Sequence, residues 1–235
     1  MKVTAPQISV IGGGLIGSTI AKTFKNVTVY GRNNNPVQDT HDIIIIAAPC
    51  GRRSVVEQDP KKDLLDCNKV VDTVSKCVYN KLIHISSQDV LDSTIYGKNR
   101  KWIEEQILQF SNSVSLRIGK ALAAGLERNV LSDIATTQWL DKINLNSNCQ
   151  WYPIHRILHD SNNLFASNKN VDVFLSRPIF NNEIVMKYKP ELLDQLAQNT
   201  VPAVQRNAKH SSGAYIVPEQ DVWKVFDTYF IDNQT

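Results

Sequence analysis

Three glycines, Gly12, Gly14 and Gly17, stand between a short apolar run and an amphipathic one, and they narrow the possible folds more than any other feature of the chain. Residues 7–11 read as a buried strand, and Leu15 to Lys25 carries Ile16, Ile20 and Phe24 at helical spacing. In a G-x-G-x-x-G turn so placed, the first glycine allows the tight turn and the second lets the backbone approach a pyrophosphate. The third lets helix and strand pack closely. The helix N-terminus adds free N–H groups and partial positive charge. Glycine turns also arise for steric reasons alone, but here the flanking strand and helix supply the context of a dinucleotide site. Gly12, Gly14, Leu15, Ile16 and Gly17 are therefore candidate cofactor-binding residues.

The rest of the first half repeats the alternation. Val27 to Tyr30 is a second strand, and the isoleucine-rich run Asp42 to Ala48 suits a central parallel strand covered on both faces. Asp63 to Val78 reads as a helix, Leu82 to Ser86 as a strand, Tyr96 to Phe110 as a helix and Val114 to Ile118 as a strand. This pattern predicts an α/β fold: a Rossmann-type, doubly wound parallel sheet over residues 1–120. Residues 121–235 are expected to form a small substrate-binding lobe interleaved with the end of that sheet. Helices are expected at Asn129–Leu140, Pro190–Gln198 and Pro218–Phe230, and strands at Val171–Leu175 and Ile184–Tyr188. The Asn- and Ser-rich stretches around 144–149, 161–170 and 207–212 read as loops, with Arg206 and His210 in a solvated one.

Composition excludes several classes. The 235 residues suit a nucleotide-binding domain plus a modest lobe, and 42% apolar with 21% charged residues is ordinary for a soluble protein. A net charge of +3 without a basic stripe argues against nucleic acid. The longest apolar run, Ile43 to Cys50, is too short to span a bilayer. Cys50, Cys67, Cys77 and Cys149 show no CxxC spacing, and no secretory signal precedes them, so a cytoplasmic protein with reduced thiols is expected. His84 alternates with Ile83 and Ile85 and reads as structural. His155, His159 and His210 lack carboxylate or cysteine partners, so no metal is expected. Trp139, Trp151 and Trp223 are assigned to core.

Strands of such a sheet present their carboxyl ends to the cofactor crevice. Ala47 and Ala48 end one strand, Ser86 and Ser87 the next, and Tyr96 opens the following helix with Arg100 one turn along. A serine, a tyrosine and a fixed cation handle protons: the cation lowers the phenol's pKa and the serine orients a substrate oxygen. After the second strand stands Arg32, not the acid that accepts from NAD ribose, and a guanidinium suits a 2′-phosphate. NADP is favoured, with NAD possible.

These residues resemble the short-chain dehydrogenase/reductase superfamily, in its extended branch of nucleotide-sugar epimerases, dehydratases and dTDP-4-dehydrorhamnose reductase-like enzymes. Asp66-Cys67-Asn68 is similar to the family's acid-x-Asn helix entry, residues 82–90 to its serine strand, and Tyr96-Gly97-Lys98-Asn99-Arg100 with Glu104 to its Tyr-Gly-x-x-Lys…Glu helix. Residues 116–119 and 125–129 resemble the next strand and the substrate-loop asparagine. Residues 150–152 and 213–215 echo surface-polysaccharide enzymes. The resemblance implies Tyr96 as acid/base, Ser87 as its partner, Arg100 on the cofactor ribose, Ser87 and Gln88 on the substrate, and Asn129 on the nucleotide diphosphate. It also implies a two-fold dimer through the tyrosine helix, whose Trp102, Ile103, Ile107 and Phe110 spread apolar surface beyond one core face. The chain departs from the family at Arg100, which replaces lysine and is a poor proton relay, and at Gly119, which replaces proline. Lys98 points away from Tyr96, and only eight residues separate Ser87 from Tyr96.

The leading expectation is thus an NAD(P)-dependent oxidoreductase or epimerase acting on a nucleotide-linked sugar by hydride transfer. Arg100 and Gly119 keep open a binding module without turnover. The glycine turn with Ala47-Ala48-Pro49 keeps open a hydroxyacid-dehydrogenase-like enzyme, although the strands at 82–86 and 114–118 argue against it.

Overall fold

The structure is a computed structural model that describes residues 5–31, 34, 36, 39–49, 51–124, 126, 129–210 and 212–232. Arg32 lies outside the described residues, as do Cys50, Gly125, Glu127 and Arg128. Two compact units divide the chain. The first is Met1–Ile118 with His155–Val173, and the second Gly119–Ile154 with Phe174–Thr235.

The first unit opens with β1 (Ile8–Ile11), α1 (Leu15–Thr23), β2 (Val27–Tyr30) and β3 (Thr40–Ile46). There follow α2 (Arg53–Gln58), α3 (Pro60–Ser75), β4 (Val78–Ser87), α4 (Ile95–Ile107) and β5 (Ser113–Ile118). After an excursion the chain returns with α6 (Ile157–Ala166) and β9 (Val171–Phe174). One six-stranded sheet runs β2-β1-β3-β4-β5-β9, as the strand–helix alternation predicts. β1 pairs in parallel with β2 and β3, β3 with β4, and β4 with β5. Winding reverses between β1 and β3, where Ile11 lies in register with Ile46, and a crevice opens beyond the carboxyl ends of such strands. Ile44, Ile45 and Ile46 are fully buried, which explains why β3 reads as a continuous apolar run. Under the sheet, Cys67, Val70 and Val74 of α3 and Ile103 and Ile107 of α4 pack on Ile44, Ile46 and Leu82, each large apolar side chain contributing about 1.5–3 kcal/mol. Trp102 of α4 and Phe110, just beyond it, are partly buried against the same cluster.

The second unit holds two small sheets. β6 (Lys120–Leu122) pairs in parallel with β8 (Trp151–Pro153), and β7 (Asn148–Cys149) antiparallel with β10 (Ile179–Phe180). Its helices are α5 (Val130–Ala135), α7 (Asn181–Tyr188), α8 (Leu193–Ala197) and α9 (Glu219–Asp232). Trp151 is fully buried and meets Phe226 edge-on at 5.2 Å.

Several sequence expectations are corrected. The strand expected at Ile184–Tyr188 is helix α7, because Glu183 Oε1 accepts from the Phe180 N–H at 2.9 Å and starts a helix there. Much of the loop expected at 161–170 is helix α6, whose Asn162 and Asn163 mark an outward face while Ile157 and Leu164 point inward. The long helix expected from Asn129 ends at Ala135, since Thr137 and Trp139 have φ of 54° and break it. Trp139, assigned to core, is 60% exposed beneath the Lys142 ammonium, 4.0 Å from its ring centre. The helix expected from Asp63 starts at Pro60, where the Asp59 side chain accepts from the Lys62 N–H at 3.0 Å, and the strand after it already starts at Val78.

Candidate active site

The glycine turn occupies the switch point of the sheet. The Gly12 N–H donates to Tyr30 O and the Ala47 N–H to Ile11 O, each at 2.8 Å, so the ends of β1, β2 and β3 are tied together. Gly12 has φ +120°, and a Cβ there would sit 2.7 Å from Ala47 O; a Cβ on Gly17 would overlap the Gly12 carbonyl oxygen. Gly14, by contrast, faces open space and N-caps α1 without any side-chain cap. The first turn of α1 has no acidic residue, and its leading N–H groups at Leu15, Ile16 and Gly17 have no intrahelical acceptor. Leu15 is exposed, and Ile16, Ala47 and Ala48 are half-buried around the turn. A backbone cradle free of side chains and of negative charge fits a dinucleotide pyrophosphate. Beside it, the Gly31 N–H donates to Asn34 Oδ1 at 2.5 Å, and the Tyr30 hydroxyl donates to Asp39, the next acid in sequence, at 3.0 Å.

The second half of the site grows from β4 and α4. Ser87 ends β4 and caps a single 3₁₀ turn (Gln88–Leu91), its Oγ accepting from the Asp89 N–H at 3.1 Å. Thr94 caps α4 by accepting from the Gly97 N–H at 3.1 Å. A Cβ on Gly97 would overlap Asp89 O, so only glycine lets α4 settle on this turn and bring Tyr96 to Ser87. Tyr96 is buried, close enough to Ser87 and Arg100 for both to act on its phenol, and the Arg100 guanidinium lies 4.6 Å from the ring centre. Lys98 is exposed.

The electrostatics correct one expectation. Burial pushes the Tyr96 phenol above its ordinary pKa and outweighs the downward pull of Arg100 and Ser87, with Asp89 adding to the rise. Arg100 itself is committed. Its Nη2 donates to Asp63 Oδ1 at 2.6 Å and its Nη1 to Cys67 Sγ at 3.3 Å, both residues lying on α3. Burial pushes the Cys67 thiol up to about 11, with Arg100 pulling the other way. Sequence reasoning missed Asp63 and Cys67 as neighbours of the site. Their four-residue spacing puts them on one helical face, but nothing local says which helix that face meets. Asp66 and Asn68, quoted for the family motif, are occupied on α3 itself, with Lys69 and with Leu64 O.

Ser86 Oγ is buried and makes no hydrogen bond of good geometry, although it lies near enough to the Glu104 carboxylate to help keep it ionised. Gln88 Oε1 is a buried acceptor without a hydrogen-bond partner among the described residues. Asn129, in the second unit, caps α5: its Oδ1 accepts from the N–H of Leu131 (2.8 Å) and Ser132 (3.2 Å), and its Nδ2 donates to Leu126 O at 2.9 Å. His84 is a buried structural histidine on Ser115 Oγ at 3.1 Å. Glu104 accepts from Ser115 Oγ and from Arg117; burial pushes its pKa up, but Arg117, with help from Ser86 and His84, holds it below the usual carboxylate range. Among the described residues no cluster of three or more His, Cys, Asp or Glu is arranged to hold a metal ion, and no helix is long and apolar enough to cross a membrane.

No family model matches the sequence, and no curated protein matches it significantly. Solved structures do match. RMD from Pseudomonas aeruginosa, complexed with NADPH, is 14% identical with a TM-score of 0.68, over 97% of this chain and 99% of that one. UDP-N-acetylglucosamine 4-epimerase from Methanobrevibacter ruminantium, in complex with UDP-N-acetylmuramic acid, is 14% identical with a TM-score of 0.69, over 99% and 100%. This chain shares the fold of these solved structures, a Rossmann-type parallel sheet flanked by helices. The Bordetella bronchiseptica enzyme WbmG, in complex with NAD and UDP, shares this fold at 12% identity and a TM-score of 0.61, over 95% and 89%.

Proposed function

We propose that the chain is an NAD(P)-dependent oxidoreductase or epimerase acting on a nucleotide-linked sugar, with Tyr96 as acid/base. The observation that carries this reading is the meeting of Ser87, Tyr96 and Arg100 at the carboxyl end of β4, in the same unit as the glycine cradle. The similar folds that bind NADPH, NAD and UDP-linked sugars support it. Gly12, Gly14, Leu15, Ile16, Gly17, Ala47 and Ala48 would hold the dinucleotide and Arg32 its 2′-phosphate, which makes NADP the preferred form. When bound, the nicotinamide supplies hydride chemistry. Ser87 orients the reacting oxygen, Tyr96 Oη exchanges a proton with it, and burial keeps competing water away. The buried Gln88 Oε1, for which no partner is found among the described residues, suits a sugar hydroxyl, and Asn129 is assigned to the diphosphate through the resemblance alone. A cytoplasmic homodimer belongs to the proposal through the resemblance alone.

Tyr96→Phe is expected to leave cofactor affinity unchanged and to lower turnover by about 10²–10⁴-fold. Calorimetry should give tighter binding of NADPH than NADH, with Arg32→Ala removing most of the difference; equal affinities would remove the NADP assignment. A second reading, a binding module, draws on the Arg100–Asp63 pair, which leaves no relay-capable amine beside Tyr96. Cofactor binding without absorbance change across a panel of nucleotide-linked keto-sugars and epimerase substrates would establish that reading instead.

A further inference from the structure

Asp63 is buried, and both its carboxylate oxygens are taken by α4: Oδ1 by Arg100 Nη2 at 2.6 Å and Oδ2 by Asn99 Nδ2 at 2.8 Å. The side chains of Asp63 and Arg100 are only 5% and 6% exposed. A buried ion pair of this kind is weak as a source of stability, because desolvating two charges offsets most of their attraction. Its consequence lies in where the cation sits. An unmatched guanidinium 4.6 Å from the Tyr96 ring would draw the phenol towards its anion, whereas one matched by a carboxylate at hydrogen-bond distance does so far less.

We infer that Asp63 is a positioning residue that acts on Tyr96 through Arg100, offsetting the guanidinium charge so that Tyr96 rests as a proton donor and the site takes a carbonyl compound rather than an alcohol. This rests on the reading of Tyr96 as acid/base, and it names the substrate class as a nucleotide-linked keto-sugar. The carbonyl carbon gains a hydride, which the reduced nicotinamide dinucleotide supplies and thereby becomes oxidised. The carbonyl oxygen takes the Tyr96 proton, the C=O π bond becomes the C–O–H of a secondary alcohol, and the phenolate is reprotonated from water. Other charged or titratable groups lie on α4 and on the elements packed against it. Asp89 on the 3₁₀ turn opposes the phenolate. Arg53 of α2 is paired with Glu57. On α3, Cys67 shares Arg100 with Asp63. Further along α4, Glu104 is tied to Arg117 of β5, and His84 of β4 is buried on Ser115.

The test follows tyrosinate absorbance in the full-length protein, with the Tyr96 component isolated by difference from Tyr96→Phe. In the unaltered protein Tyr96 should stay silent up to about pH 10, the ordinary tyrosine value. Asp63→Asn, which leaves Arg100 unmatched, should bring its step about 1–3 units lower. The double variant Asp63→Asn/Arg100→Met should be silent again. A step below pH 10 in the double variant, or none in a folded Asp63→Asn protein, overturns the inference. Directional kinetics form a second arm should Asp63→Asn not fold. Carbonyl reduction at pH 7 should exceed alcohol oxidation, and oxidation should rise about tenfold per pH unit as the base is titrated. Oxidation flat between about pH 6 and 8 would show a phenolate already present at neutrality and overturn the inference. If neither substrate turns over, the functional reading fails, while the titration still decides whether Asp63 acts through Arg100.

Discussion

Lowering the pH should destabilise this protein through His84 before its carboxylates are titrated. The imidazole sits in the middle of the sheet on β4, fully enclosed, and burial pushes its pKa down from 6.5 to about 4, with Glu104 pulling up and Arg100 pushing down. The folded-state value lies below the unfolded one. The unfolded chain therefore binds a proton that the folded chain refuses, and the stability contributed by neutral His84 is full above pH 6.5 and is lost as the pH falls towards 4. At about 1.36 kcal/mol per unit, this amounts to about 3 kcal/mol over the whole window and about 2 kcal/mol between pH 6.5 and 5. That is a large part of the ~5–15 kcal/mol that holds a typical domain. The comparison variant is His84→Asn, whose amide can take the place of Nδ1 on Ser115 Oγ. Urea unfolding followed by circular dichroism at pH 7, 6 and 5 should show the unaltered protein losing about 2 kcal/mol more than His84→Asn. Glu104, held below the usual carboxylate range, contributes stability that is present above about pH 4.3 and is lost only below it, so it does not confuse this window. Equal pH slopes in the two proteins would refute the argument.

Two further outcomes follow from packing and charge. Gly17→Ala should cost about 1–3 kcal/mol of stability and weaken dinucleotide binding at least about tenfold by calorimetry, because its Cβ would overlap the Gly12 carbonyl and push the turn open. Arg177→Met should destabilise the second unit by about 1–2 kcal/mol in urea, less in high salt, since Arg177 bonds both Glu183 and Glu219 but is itself about a third exposed.

The legible parts of this structure were those set by local pattern. β1, the glycine turn and α1 lie where spacing puts them, because strand periodicity, helical periodicity and the steric demand for glycine are all read over a dozen residues. The serine at the end of β4 and the tyrosine one turn before Arg100 were legible for the same reason. What escaped was decided by partners distant in sequence. Ile184-Val185-Met186 carries β-branched residues, yet Glu183 starts a helix there by taking the Phe180 N–H. Ser161-Asn162-Asn163 looks like loop until Lys81, from β4, is found donating to Asn162 Oδ1 at 2.9 Å, on a helix that belongs to the first unit. The sign of the Tyr96 shift escaped too, because spacing shows that Arg100 is near, but not that Asp63 holds it or how deeply the ring is buried.

The first unit is discontinuous in the chain, and that shapes how it can be made. The sheet is laid down as far as β5 by residue 118, but its last member, β9, arrives only after residues 119–154 have been synthesised for the second unit. Until then the main chain of β5 lacks its outer neighbour: the Ser115 N–H, which donates to Asn170 O at 2.7 Å in the finished fold, has no acceptor. An open strand edge that carries the apolar Val114, Leu116 and Ile118 is a template for pairing with another chain. A nascent polypeptide of this protein therefore passes through a vulnerable interval on the ribosome, and a fragment cut at the apparent domain boundary after Ile118 keeps that edge permanently.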